Sequence, residues 1–337
     1  MTLKAISMPL VNRRQALQFA SGVGMATAAS GILSTPVEAV GGMGNDARIN
    51  GPYLDLRTKE GNMIASGRIY GNTDAGVPKF GWYDGYVMGV APGGPVKNIC
   101  GFKGMSSAKL IPNEGKPGWR KVLREVGYYY DLKTGEILEE MVNPYTDEKV
   151  RVVHVANDPF NQTIEPYYPP PPNYGGLNEQ TEPMPQIPII LEWNVSGDNR
   201  LLMERHIHLF YPSALEPGKW VRESAGPMNR VSEMFFFNMS LEDMQNPELT
   251  SVEYSGTWAR ITPWLPWMLM GQAPGNVVYQ TFMGGYDSLE DIPSDIVEYT
   301  AKNYPKYLTP PPEDYGPSLS SLENYAREQE PVQPGGV

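Results

Sequence analysis

Histidine is scarce in this chain, occurring three times, at His154, His206 and His208. Two of the three fall in Glu204-Arg205-His206-Ile207-His208. Along an extended strand successive side chains alternate between faces, so Glu204, His206 and His208 share one side and Arg205 and Ile207 the other. An imidazole held by a carboxylate titrates near neutrality and moves protons. This makes His206 and His208 a candidate acid–base pair with Glu204 as their orienter. His154 lies in a second β-prone run, sharing a face with Val150, Val152 and Ala156. Convergence of the three imidazoles, with Glu204 beside them, would give a ligand set for Zn or Fe. A solvated polar strand face is the plainer account of the same residues.

A second constellation is Arg124, Val126, Tyr128 and Tyr130 on one face of a strand. Arginine holds carboxylate or enolate-like oxygens and tyrosine donates to them, so Arg124 and Tyr130 are candidate oxyanion stabilisers. A structural ion pair with amphipathic tyrosines is the competing account. Aromatic supply is the third clue. Trp258 and Arg260 alternate onto one face, Trp264 and Trp267 follow at once, and Tyr128 adds a further ring. These residues could line a pocket for a flat apolar ligand, or fill an ordinary core.

The elements that must position these groups are short and numerous. With 35 Gly and 33 Pro in 337 residues, helical bundles and coiled coils are excluded. Beta-prone runs at 81–90, 119–131, 136–142, 149–157, 187–195, 200–211, 232–239, 252–261 and 276–283 are separated by turn chemistry. Ser196-Gly197-Asp198-Asn199 between two runs is a hairpin signal, and Asn157-Asp158-Pro159 reads as a strand end. Such spacing predicts a mainly β protein, an antiparallel meander closing into a lipocalin-like or calycin-like barrel. A short helix over 289–304 and a proline-rich acidic tail over 309–337 follow. The proline-rich 165–188 reads as a long loop, of the kind that serves as a lid. One domain over 67–308 is expected, preceded by an extension over 40–66.

Residues 1–39 read as an address. Arg13-Arg14 precede a weakly apolar, glycine-rich stretch, and Val37-Glu38-Ala39 supplies small residues for cleavage after Ala39. The segment resembles a twin-arginine signal, although Ala16 stands where a bulky residue is usual near that point. It implies periplasmic export through the twin-arginine machinery, with no stable membrane anchor. A net charge of -11 argues against a nucleic-acid partner. The single cysteine, Cys100, has no intrachain partner. No nucleophile elbow, phosphate loop, EF-hand or haem-attachment motif is present.

Several strings together carry a family resemblance: Arg124-Glu125, Tyr130-Asp131-Leu132-Lys133-Thr134-Gly135-Glu136, His154-Val155-Ala156-Asn157-Asp158-Pro159, Trp264-Leu265-Pro266-Trp267 and Tyr304-Pro305-Lys306-Tyr307. They resemble a bacterial domain-of-unknown-function family whose members often carry twin-arginine signals, a likeness that implies no activity and no catalytic residues. The residues themselves point first to an exported enzyme acting on a hydrophobic, aromatic or polycyclic small molecule. Its chemistry would be acid–base, of lyase, isomerase or hydratase type, without a cofactor. A non-catalytic lipocalin-like carrier of an apolar ligand is the second reading. A His-ligated Zn or Fe oxygenase or hydrolase is the third.

Overall fold

A computed structural model of the chain describes residues 46–168, 186–316 and 318–333. The expected signal segment and most of the proline-rich 165–188 lie outside them. The main element is one antiparallel sheet of ten strands. Its long strands are β1 (Lys79–Val90), β2 (Lys97–Pro112), β3 (Trp119–Tyr130), β9 (Arg200–Pro212), β10 (Met228–Ser240), β11 (Tyr254–Thr262) and β12 (Asn276–Tyr286). Shorter β6 (Val155–Asn157), β7 (Gln162–Ile164) and β8 (Glu192–Ser196) form its ends. A separate ribbon pairs β4 (Glu140–Val142) with β5 (Lys149–Arg151).

The hydrogen-bonded order is β6-β3-β2-β1-β12-β11-β10-β9-β8, with β7 also on β3. Hairpins join most neighbours, and β1 returns to pair with β12, so the meander is as expected. Among the described residues no ladder links β8 back to β6 or β7, and closure into a hydrogen-bonded barrel is not seen. The sheet is nevertheless rolled. Lys121 and Glu125 of β3 face the same cavity as Arg205 and Ile207 of β9, although five strands separate β3 from β9 in the sheet.

The gap between the two ends is bridged by helix α1 (Lys59–Tyr70), which composition and turn chemistry did not signal. Thr58 caps it by accepting from the Gly61 amide. Gly61 is obligatory there, because a Cβ would lie 2.0 Å from the Asp55 carbonyl oxygen. Asn62, 0% exposed, fastens the helix to β8. Its amide nitrogen donates to the Leu56 and Thr58 carbonyls at 2.7 Å each, and its oxygen accepts from Leu191 N at 3.0 Å and Trp193 Nε1 at 2.8 Å. Residues 46–66 are therefore part of the domain, with Ile49, Leu54 and Leu56 in its core.

After a short turn, α2 (Leu241–Met244), come α3 (Ser294–Asn303) and α4 (Ser321–Glu328). Helix α3 covers the outer side of β3, where Tyr128 stacks edge-on against Tyr299 at 4.5 Å and shares a hydrogen bond with Thr300 Oγ1 at 2.9 Å. Within its described residues, 309–316 and 318–333, the expected loose tail instead packs on the domain through α4. Helix α4 begins with a capping box, Glu323 N donating to Ser320 Oγ and Ser320 N to Glu323 Oε2. Such boxes need only Ser-x-x-Glu, which residues 320–323 supply.

Candidate active site

The strand register decides which side chains face the rolled interior. Trp258 pairs with Phe235 and Thr281, Arg260 with Glu233 and Tyr279, and Tyr83 with Gly104 and Met283. Glu125 pairs with Ser106, and Tyr129 with Phe102. These positions lie on one face, and the inside of the roll is lined by them. Room for the rings comes from glycine: a Cβ on Gly127 would lie 2.5 Å from both the Tyr83 hydroxyl and the Phe102 ring.

The result is a cavity of about 180 Å³ walled by Tyr83, Phe102, Tyr129, Trp258, Trp264 and Tyr279. Phe102 is the hub, 5.2 Å from Tyr83, 4.8 Å from Tyr129 and 5.2 Å from Tyr279, centroid to centroid. The Tyr129 and Tyr279 hydroxyls bond each other at 2.8 Å. Helix α4 forms a further wall through Ser321, Asn324 and Tyr325.

Titratable side chains enter this aromatic chamber, Glu233 with Arg260, Glu125 and His154 among them. Glu233 is 4% exposed and faces Arg260 Nη1 at 3.7 Å, an ion pair without hydrogen-bond contact. Burial disfavours the Arg260 cation, but Glu233 and the surrounding phenols outweigh that and raise its pKa. Glu125 is anchored by Asn157 Nδ2 at 3.2 Å, and Asn324 Nδ2 in turn donates to Asn157 Oδ1 at 2.9 Å. Burial raises the Glu125 pKa, Asn157 opposes the rise, Glu233 adds to it, and Arg260 and Lys121 restrain it. A carboxyl so placed exchanges protons nearer neutrality than an exposed one.

His154 contributes an imidazole. It lies in the break between β5 and β6 rather than on a strand, and its Nδ1 accepts from the Tyr129 amide at 3.2 Å. That bond assigns the ring proton to Nε2. Burial lowers the His154 pKa, and Glu139 only partly offsets this, so the ring is neutral at pH 7. His154 Nε2, Asn229 Nδ2, Trp258 Nε1, Arg260 Nε and Trp267 Nε1 are all buried, have no hydrogen-bond partner among the described residues, and belong to side chains that line this one cavity. Buried donors are ordinarily satisfied by protein groups or ordered water, and polar atoms held in this cavity would complete them.

Five residues singled out from sequence thus meet here: His154, Trp258, Arg260, Trp264 and Trp267. Trp264 is already satisfied, donating to the Ala273 carbonyl at 3.0 Å. The other candidates are elsewhere. Glu204, His206 and His208 share a face as expected, but it is the outer one. The Glu204 and His206 side chains are 58% and 53% exposed and 3.8 Å apart. Alternation predicts a shared face but not which face is inside, and here Arg205 and Ile207 point inward. His154 therefore does not converge with His206 and His208. Among the described residues no group of three His, Cys, Asp or Glu is placed to hold a metal ion.

Arg124, Tyr128 and Tyr130 are also on the outer side of β3. Arg124 Nε donates to Asp158 Oδ1 at 2.9 Å, and Lys306 Nζ pairs with Asp158 Oδ2 at 2.8 Å. Burial works against the Asp158 carboxylate, yet these two cations hold its pKa below the usual value. Tyr130 donates to Asp84 at 2.7 Å. Arg124 and Asp158 clamp the C-terminal segment to the sheet. Sequence reasoning missed Glu125 and Glu233. Glu125 sits one step from Arg124, on the opposite face, and parity alone would have exposed it once the inside was known.

An antiparallel roll around an aromatic chamber with buried charge defines the class as a mainly β protein with an internal cavity. Comparison with protein families matches residues 77–329 to one described as "Protein of unknown function (DUF1838)", and the chain belongs to that family. No curated protein matches the chain. No helix among the described residues is long and apolar enough to cross a membrane.

Proposed function

We propose that this protein is an exported enzyme whose rolled, lipocalin-like sheet encloses a hydrophobic, aromatic or polycyclic small molecule and moves a proton on it. The observation that carries this reading is the set of partnerless buried donors facing one aromatic cavity beside Glu125. Stacking on Trp258, Tyr83 and Phe102 would hold a flat ring. Arg260 and the His154 Nε2–H would donate to a ligand oxygen as negative charge develops on it. Glu125 would take a proton from the adjoining carbon and return it to another position, which is isomerisation, or to a departing hydroxyl, which is dehydration. No step in this scheme calls for a cofactor. Export through the twin-arginine machinery to the periplasm is part of the proposal, on the strength of residues 1–39.

The test works without the product being identified. Aromatic ketones and hydroxylated polycyclic compounds are incubated with the protein in deuterated water, and deuterium uptake at carbon is read by mass spectrometry. Exchange catalysed by the natural protein and lost by at least about a hundredfold in Glu125→Gln supports the assignment. Exchange that survives in a folded Glu125→Gln protein refutes it. The carrier reading is favoured by the same aromatic lining; binding of such compounds with no exchange in any of them would select it.

A further inference from the structure

Beyond Glu125 the interior continues into a second compartment of about 130 Å³. It shares Tyr83, Glu125 and Phe160 with the first, so Glu125 stands in the partition between them. Among the described residues its charged lining is Lys121, Arg205 and Glu125. Tyr70 of α1 collects both cations on its ring, Lys121 Nζ at 5.3 Å and Arg205 at 5.6 Å from the centroid. Arg205 also donates to the Tyr70 hydroxyl at 3.1 Å.

Two buried lysines make the contrast plain. Lys79, 3% exposed, reaches the Arg68 carbonyl at 3.1 Å, the Ser251 hydroxyl at 2.5 Å and the Val252 carbonyl at 2.8 Å, with Asp287 at 3.7 Å. Such a lysine is structural, its three protons accounted for. Lys121 is 8% exposed and has neither a hydrogen bond nor an ion pair among the described residues; it has the Tyr70 ring. A buried ammonium without an oxygen acceptor costs stability, and two cations sharing one ring repel. An anion beside the Lys121 ammonium would relieve that cost.

We infer that this compartment is a carboxylate pocket, in which Lys121, beside Arg205, holds the acid group of an arenecarboxylate whose ring system passes Glu125 into the larger chamber. This deepens the proposed function and rests on it, by naming the substrate class. A buried ammonium without an acceptor among the described residues suits a carboxylate, and the aromatic walls suit what it is attached to. Binding is then linked to protonation. Burial holds the free Lys121 pKa down to about 7, with Glu125 pulling it up and Lys79 and Arg205 pushing it down. A bound carboxylate favours the ammonium, so affinity falls about tenfold per pH unit above 7.

The experiment compares 2-naphthoate with 2-naphthamide by titration calorimetry on the purified full chain. The expected result is binding of the naphthoate tighter by at least about tenfold at pH 6.5, a preference that fades toward pH 9. In Lys121→Met the preference disappears while the amide binds within about twofold of its affinity for the natural protein. Equal affinity for acid and amide, no binding of either, or an acid preference retained in Lys121→Met overturns the inference. Deuterium exchange on other substrates would leave the acid–base reading standing in that case. An acid preference without any Glu125-dependent exchange would separate the two the other way.

Discussion

Replacing Lys121 with methionine should make the protein more stable, by an amount that depends on pH. Methionine approximates the lysine stem in volume and removes an ammonium that has no hydrogen bond or ion pair among the described residues. The ordinary lysine pKa is 10.5 and the folded value about 7. Because the folded pKa is depressed, the folded chain binds fewer protons than the unfolded chain between these limits. Its stability therefore rises with pH across this window and falls as pH drops toward 7. Linkage puts the cost of carrying Lys121 at about 4 kcal/mol at pH 7 and about 2 kcal/mol at pH 9. Urea denaturation of both proteins at pH 7, 8 and 9, with slopes held comparable, reads the difference directly. The advantage of Lys121→Met should shrink by about 2 kcal/mol from pH 7 to pH 9. A difference that does not change with pH would show that Lys121 is not a suppressed base, and the account of the second compartment would lose its footing.

Three other perturbations follow from the same geometry. Arg260→Met leaves Glu233 buried without a cation and should cost about 3–5 kcal/mol. It also removes a charge that restrains the raised Glu125 pKa. A raised carboxyl pKa contributes stability that is lost as pH rises, so the deficit measured by denaturation should be larger at pH 8 than at pH 5. Asn62→Leu strands the Leu191 amide, the Trp193 indole and the Leu56 carbonyl, and a loss of about 3–5 kcal/mol is expected in thermal or urea unfolding. His206→Ala/His208→Ala, on the exposed outer face, should leave stability within about 0.5 kcal/mol and any turnover unchanged; a large loss of activity would return those histidines to the site.

The legible part of the fold was whatever alternation and turn chemistry mark. β9 and β10 fell close to their expected bounds, and the hairpin at Gly197 takes a positive φ of 67° as its turn requires. The missed strand β2 reads Lys-Asn-Ile-Cys-Gly-Phe-Lys-Gly-Met-Ser-Ser-Ala-Lys-Leu-Ile-Pro, where glycine and serine occupy positions that a β-former would announce. At Gly101 the small residue makes room for a ring from the neighbouring strand, since a Cβ there would meet the Tyr130 ring at 2.1 Å. Helix α1 carries buried Asn62 and Arg68, polar residues that hide its inner face from any search for apolar periodicity. In the site, residue types were the reliable signal and facing was not. Trp258 and Arg260 were found because aromatic and cationic groups alternate there. Glu204, His206 and His208 misled because their alternation is equally compatible with an outside face.

The chamber's walls are drawn from distant parts of the chain: Glu125 on β3, Glu233 on β10, Arg260 on β11, and Asn324 on α4, which reaches Glu125 only through Asn157. No fragment of the sheet holds more than a portion of this lining, and pairing of this kind is slow to assemble. Occupancy of the chamber is therefore a report on the whole domain. A ligand that fits it should raise the unfolding midpoint of every strand together, by mass action on the native state alone. Hydrogen exchange would then show β3, β10 and α4 slowed in concert, rather than protection confined to the residues the ligand touches.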